Sequence, residues 1–302
     1  MNGQKFNKVA VIGIGNMGWP MAANLVRAGF ATIVCDAVAG RAQKFAAEIG
    51  GTAAEDPRAA AAGADALITI LPTSRQVEEV ILDVADLLPR GGLVIEMSSG
   101  VPGITRRLAE RLAAQGIEMI DAPVSGGVAR ARTGELAIMT GGAPAALERA
   151  EPLLRAMGTA ITPVGAVGAG QAMKALNNLV SAGGFLIGVE ALMIGQRFGL
   201  DAEKMVDVLN ASTGMNNGTQ KKFRQFVLSR KFDSGFGLDL MAKDLGIAIE
   251  VAQETHTPAP FAALCRELWA AAAGLLGPGH DHTEMARLTE QLAGDKLGGK
   301  EG

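Results

Sequence analysis

Few kinds of side chain in this 302-residue sequence are placed to move a proton in catalysis. It contains no tyrosine, so a tyrosine-lysine relay is impossible. Its three histidines, His256, His280 and His282, sit near the C-terminal end without a GxSxG elbow, which argues against a serine hydrolase. Lysines and carboxylates remain as acid/base groups. Lys174 stands out, because with Asn177, Asn178 and Ser181 it interrupts an otherwise apolar run. Positions 174, 178 and 181 follow the i, i+4, i+7 pattern and share one helix face. A lysine inside a buried helix loses hydration, which lowers its pKa toward neutrality and suits proton exchange with a substrate hydroxyl. The plainer alternative is a lysine snorkelling from the helix start.

A second group of residues has the chemistry of a phosphate cradle. The stretch Val9 to Gly18 places Gly13, Ile14, Gly15, Asn16, Met17 and Gly18, a GxGxxG, between a strand and a helix. Gly13 permits a tight turn, Gly15 lets a pyrophosphate approach the backbone, and Gly18 lets helix and strand pack closely. The helix start then offers unpaired N–H groups to the anion. Asp36 ends the next apolar run, ATIVCD, where a carboxylate can accept hydrogen bonds from the adenosine ribose. Its charge opposes a 2′-phosphate and favours NAD over NADP, with Arg41 nearby to soften the effect. The alternative is a plain turn with Asp36 capping the following helix. Gly294 to Lys300 also fits a GxxxxGK spacing, but Glu301 follows it and no strand precedes it, so the match is read as chance.

These residues need a scaffold. Through about residue 165 the runs KVAVI, ATIVC, ALITIL, GLVIEM, IEMIDA, ELAIM and AITPV alternate with helical patterns, which predicts a mainly parallel sheet with right-handed crossovers. Ligands in such sheets bind beyond the carboxyl ends of the strands. Leu71 and Pro72, then Ser98, Ser99 and Gly100, are therefore expected to line the nicotinamide half of a cofactor cleft. After the turn VGAVGAG at 164–170 only helices are expected: one to about Phe198, then 201–212, 238–256, 258–276 and 283–293. The chain divides on this reading into a Rossmann domain, 1–165, and an all-α domain, 166–302. The tail from Gly294 is expected to fray. Ala182, Gly183 and Gly184 suggest close helix approach and a homo-oligomer, dimer or tetramer.

Composition narrows the class further. Hydrophobic residues make up 48% of the chain and charged residues 20%, enough for a sizeable core. A net charge of −3 with scattered Lys and Arg leaves no basic stripe, so no nucleic-acid partner is expected. Cys35 and Cys265 form no metal or disulfide pattern, so no metal is implied and a reducing cytoplasm fits. The apolar run Leu179 to Gly195 contains Ser181 and Glu190 and reads as a buried helix, not a membrane span. No export signal is visible at the N-terminus.

Four blocks stand in order: GIGNMGWPMAANL at 13–25, DAPVSGG at 121–127, GAGQAMKALNN at 168–178 and LMAKDL at 240–245. In these the sequence resembles the β-hydroxyacid dehydrogenases, a family that includes 3-hydroxyisobutyrate dehydrogenase, tartronate semialdehyde reductase and, more distantly, 6-phosphogluconate dehydrogenase. The resemblance covers nearly the whole chain. It implies an α/β fold with an N-terminal Rossmann domain and an all-α C-terminal domain, as in 6-phosphogluconate dehydrogenase. It also implies hydride exchange between NAD and a small 3-hydroxy acid or its semialdehyde. Lys174 matches the family's acid/base, Asn178 the residue that helps fix substrate, and Lys243 a lysine near the nicotinamide end. Ser125, Gly126 and Gly127 stand where a substrate carboxylate is held, and consecutive glycines after a strand do expose N–H groups that bind anions. Imine reductases share the fold but generally replace the lysine, so Lys174 argues against that branch. One departure is Gly100, where many members carry a hydroxyl residue. The rival reading is a catalytically idle NAD-binding scaffold or sensor. The substrate side chain stays open, because Met215, Phe236 and Leu238 cannot be placed from sequence.

Overall fold

A computed structural model describes residues 6–298. The chain packs as two compact units, 1–174 and 175–302. In the first, the strands are β1 (Val9–Ile12), β2 (Thr32–Cys35), β3 (Thr52–Ala53), β4 (Ala66–Thr69) and β5 (Leu93–Glu96), followed by β6 (Glu118–Asp121), β7 (Val124–Ser125), β8 (Leu136–Gly141) and β9 (Gly158–Gly165). Helices α1 (Gly18–Arg27), α2 (Arg41–Ile49), α3 (Pro57–Ala61), α4 (Ser74–Val84), α5 (Pro102–Ala113), α6 (Gly127–Thr133) and α7 (Pro144–Met157) connect them.

Strands β3-β2-β1-β4-β5-β6 pair in that order and all in parallel, the order of a dinucleotide-binding sheet. β8 adds to β6 antiparallel, and β7 and β9 both pair with β8. Because helices cover both faces, β1, β4 and β5 are buried throughout, and their apolar runs are continuous. Val9, Val11, Ile68 and Ile95 face one core. Ala10, Ile12, Leu67 and Val94, the alternate residues, face the other. The two-residue strands β3 and β7 were not foreseen, since a pair of residues carries no alternation to read.

The second unit is helical among its described residues. Helix α8 (Ala169–Phe198) enters it and α9 (Ala202–Asn210), α10 (Asn217–Lys221), a π-helical turn (Phe223–Leu228), α11 (Leu238–Glu254), α12 (Pro260–Leu276), a 3-10 turn (His282–Met285) and α13 (Ala286–Ala293) follow. Its core gathers Phe185, Val189, Phe223, Leu245 and Trp269. Neither α10 nor the π-helical turn was foreseen, because this largely polar segment buries only Phe223 and Val227 in that core, with Leu228 packed at its edge.

Strand structure ends at Gly165, yet the first turns of α8 pack with the sheet unit. The reason is Asp121 at the end of β6, whose carboxylate accepts the N–H groups of Gly168 and Gln171 at 2.7 and 2.8 Å. Two expectations need correction. The tail does not fray through Gly298: Leu297 is fully buried, its N–H bonds Glu290 and that of Gly298 bonds Gln196. Residues 299–302, the end of the GxxxxGK match, lie outside the described residues. The small residues of α8 do mark close approach, but to the chain itself. A Cβ on Gly183 would meet Phe261 at 3.0 Å, and one on Gly188 would meet Phe223 at 2.5 Å. They are therefore no argument for an oligomer. α8 is long and apolar enough to cross a membrane by length and composition, but 56% of its most apolar window is buried in the protein, as in a core helix.

Candidate active site

The glycine loop joins the end of β1 to α1 at the point where strand order reverses. Gly13 has φ +92°, and a Cβ there would strike the Ile70 carbonyl at 2.3 Å. A Cβ on Gly18 would lie 1.9 Å from the Gly13 carbonyl oxygen, so this glycine sets how closely α1 can sit on β1. Gly15 differs: nothing lies within 4 Å of its missing Cβ, and the space is open to a ligand. α1 has no side-chain cap and no acidic residue in its first turn. The Trp19 N–H already meets the Gly15 carbonyl and Pro20 has none, so the Gly18 N–H is the first-turn donor left for a phosphate. Ile14 is buried, while Asn16 is exposed and Met17 half-buried at the rim.

Asp36 is tied to that loop. Its Oδ2 accepts the Ile14 N–H at 2.8 Å, while Oδ1 accepts the Val38 N–H and the Arg41 guanidinium, both at 2.9 Å. It does not cap α2, whose cap position is Gly40. A carboxylate offers about four lone-pair sites, so three of them filled leaves one for a ribose hydroxyl. The Arg41 pair also offsets part of the charge that opposes a 2′-phosphate. These residues fit a dinucleotide: an open cradle at Gly15, an uncapped N-terminus at α1, and an oriented acid at the end of β2.

Beyond the ends of β4 and β5, Leu71 is half-buried and Pro72 exposed. Ser98 is structural, since its Oγ accepts the Leu71 N–H at 3.0 Å. Ser99 is half-buried in the same loop. Gln171, 1% exposed on α8, clasps this loop from the side: its Oε1 accepts the Gly100 N–H and its Nε2 donates to the Ser98 carbonyl, both at 2.8 Å. A Cβ at position 100 would come within 2.9 Å of Ser74 Oγ and 3.1 Å of Glu96 Oε1. The departure at Gly100 is thus accommodated by a tightly closed loop.

Ser125, Gly126 and Gly127 run from β7 into α6. The register Ser125 to Ala137 in β8 holds the first, and Asn24 of α1 holds α6 through a 2.7 Å bond to the Ala131 carbonyl. Gly126 and Gly127 have φ +131° and +68°, a conformation that side chains resist, and both are exposed. The Arg130 side chain lies over Gly126, with Cδ 2.7 Å from the missing Cβ.

Lys174 closes the first unit and is 8% exposed. One helical turn later, in the second unit, Asn178 is 5% exposed, and its Nδ2 donates to Asp244 Oδ2 at 2.6 Å. Asp244, on α11, is buried and sits beside Lys243, whose ammonium is 3.2 Å from Oδ1. Lys243 and Asp244 are therefore no solvent-exposed pair; the aspartate orients Asn178. Sequence reasoning missed Asp244, Gln171 and Asp121 as supports. Burial pushes the Asp121 carboxyl up to about 6, against the pull of its N–H donors.

A doubly wound sheet with a glycine cradle, an oriented acid and a buried lysine on the following helix defines a nicotinamide-dependent oxidoreductase. Residues 8–165 match the NAD binding domain of 6-phosphogluconate dehydrogenase. Residues 168–289 match a second family, NAD-binding of NADP-dependent 3-hydroxyisobutyrate dehydrogenase. The 2-(hydroxymethyl)glutarate dehydrogenase of Eubacterium barkeri is 33% identical over 98% of this chain and 99% of its own length. The NAD-dependent L-serine dehydrogenase of Pseudomonas aeruginosa is 39% identical over 87% of this chain and 91% of its own. Among solved structures, the 3-hydroxyisobutyrate dehydrogenase of Mycobacterium tuberculosis with L-serine has a TM-score of 0.88 at 33% identity, covering 94% of this chain and 99% of that one. The chain belongs to the β-hydroxyacid dehydrogenase family and is an NAD-dependent hydroxyacid dehydrogenase. An idle scaffold finds no support among these relatives.

Proposed function

We propose that the chain interconverts a 3-hydroxy acid of the form HOCH2–CH(R)–COO⁻ and its semialdehyde, with Lys174 as the general acid/base. The observation that carries this reading is a buried lysine one helical turn from an asparagine whose amide is fixed by a buried aspartate. The acids named by the three relatives share that skeleton and differ in R. Bound at the Gly13–Gly18 loop and Asp36, NAD supplies the hydride acceptor. In oxidation the Lys174 amine takes the hydroxyl proton as hydride leaves the carbinol carbon; in reduction its ammonium returns that proton. The second Nδ2–H of Asn178, not used by Asp244, orients the hydroxyl. Ser125 and the N–H groups of Gly126 and Gly127 hold the carboxylate, Lys243 serves the nicotinamide end, and Leu71, Pro72 and Ser99 flank it. Holding the reactants in this way lowers the barrier without any new bond to the protein.

NADH absorbance on mixing NAD with such acids, their methyl esters and their amides tests the reading. An acid is expected to exceed its ester by about tenfold or more in kcat/KM, because donors arranged for an anion are mismatched to a neutral group. Equal values for acid and ester refute the carboxylate site, and no NADH from any acid refutes the lysine assignment.

A homo-oligomer is proposed on different grounds from glycine spacing. Val180, Ile187 and Ile194 recur every seven residues on α8 at 77, 55 and 71% exposed, with Phe198 at 82%. Such a stripe matches a second copy of itself about a two-fold axis. Ile194→Glu is expected to shift the protein to a smaller species in sedimentation; an unchanged mass places the contact elsewhere.

A further inference from the structure

We propose that the crevice lined by Ser181, Asn217, Lys222 and His282 in the helical unit is a subsite for a second anionic group on R, with the Lys222 ammonium as its counter-charge. The preferred substrate is then a hydroxy acid carrying two negative charges. This rests on the function proposed above for Lys174 and Asn178.

The crevice lies one helical turn from the substrate-fixing pair. The Asn178–Asp244 bond joins α8 to α11. Ser181 is three residues further along α8, Met241 three residues back along α11, and both line the crevice. Three residues of helix rise about 4.5 Å. A substituent of two methylenes ending in a carboxylate covers that distance from a carbon held at Asn178.

The charges in the crevice are unbalanced. Lys222 is half-buried, and among the described residues no carboxylate comes within ion-pair distance of it; its ammonium rests 5.7 Å from the Phe226 ring centroid. Burial lowers its pKa, with only a distant opposing pull from Asp281. That aspartate is already satisfied, since it accepts the Ser234 hydroxyl, the N–H groups of Gly235 and Phe236, and both the N–H and hydroxyl of Thr283. His282, stacked on Trp269, is held down at about 4 by burial and then by the charge of Lys222, so it is neutral at pH 7 and adds no cation. The Trp269 indole N–H has no conventional acceptor and at most a weak interaction with the Cys265 thiol. A cation withdrawn from water without an anion beside it is unfavourable, and an incoming carboxylate relieves it.

As it stands the crevice has no room for a water-sized sphere. Entry of a carboxylate therefore needs the unbranched Met241 and Lys222 side chains to shift, which both can do between rotamers. A purely structural role for Lys222, following the C-terminus of α10, predicts no dependence on the charge of R.

The test uses the full chain with NAD and two acids, 3-hydroxy-2-methylpropanoate with neutral R and 2-(hydroxymethyl)glutarate with anionic R. Wild type is expected to prefer the second in kcat/KM by about tenfold or more, the scale of one charge-assisted contact. Lys222→Met should erase that preference while leaving the first acid within about twofold, and Lys222→Arg should restore most of it. A second measurement needs no turnover. In a Trp19→Phe background, Trp269 is the sole tryptophan, and its emission is followed on titration with glutarate or butyrate. Glutarate binding about tenfold tighter than butyrate, and lost in Lys222→Met, supports the subsite. Equal affinities, or a preference that survives Lys222→Met, overturns it. If no acid yields NADH while Trp269 still discriminates glutarate, the role of Lys174 fails and the subsite stands; if both acids turn over without discrimination, the subsite fails and the role of Lys174 stands.

Discussion

Replacing Gln171 with leucine isolates the clasp between α8 and the loop after β5. The side chain is 1% exposed and makes two 2.8 Å bonds, accepting from Gly100 N–H and donating to Ser98 O. Leucine fills a similar volume but leaves both backbone groups buried without partners, at about 1–3 kcal/mol each. The carbonyl keeps a second lone pair and the loop can relax, so a net loss of about 3 kcal/mol is expected. For a unit of this size that corresponds to a fall in melting temperature of about 6–12 °C. Gln171→Glu keeps the acceptor for Gly100 but turns an oxygen toward the Ser98 carbonyl, and is expected to lie at least as low. Melting followed by circular dichroism measures the first effect. KM for NAD measured at saturating substrate gives the second, a rise because Ser99 is carried on the loop. A Gln171→Leu protein that melts within about 2 °C of wild type, against the 6–12 °C expected, with unchanged KM for NAD, would falsify this account of the clasp.

Lys174→Ala should lower kcat by about 10² to 10⁴ while NAD affinity changes little, because the cradle and Asp36 are untouched; retention of more than half the activity removes the lysine from the mechanism. Asp36→Ser should weaken NAD and narrow the preference over NADP, since it removes the ribose acceptor and frees Arg41 to meet a 2′-phosphate. Kinetics with both cofactors decide it, and a wild type that already prefers NADP contradicts the argument. His282 predicts acid sensitivity of the helical unit: its folded pKa of about 4 lies below the ordinary 6.5, so the unfolded chain takes up a proton that the fold refuses. The stabilisation is present above about pH 6.5 and lost as pH falls toward 4, by up to about 3 kcal/mol. Denaturant titrations read by Trp269 emission in the Trp19→Phe background should show that slope, and adding His282→Phe should flatten it; an equal slope in the variant assigns the pH dependence to other groups.

What the sequence determined was everything written in local period and spacing. Continuous apolar runs separated by helical patterns specify a parallel sheet, because strands buried on both faces have no polar side to show. GxGxxG followed by Asp36 specifies a dinucleotide turn, since few other residues tolerate those backbone angles and contacts. Lys174, Asn178 and Ser181 fall on one face by helix geometry alone. Tertiary structure decided which side chains hold these in place. Asp244 reaches Asn178 across 66 positions of sequence, Gln171 reaches Gly100 across 71, and the Asp121 carboxylate reaches Gly168 across 47. No periodicity encodes such partners, because a polar residue that bonds a distant backbone group reads like any polar residue in its own segment. Leu297, buried beyond a run of glycine and charge, and Lys222, set among Trp269 and His282, show the same limit: local composition marks where chain is polar, while packing decides which of those residues lose their water.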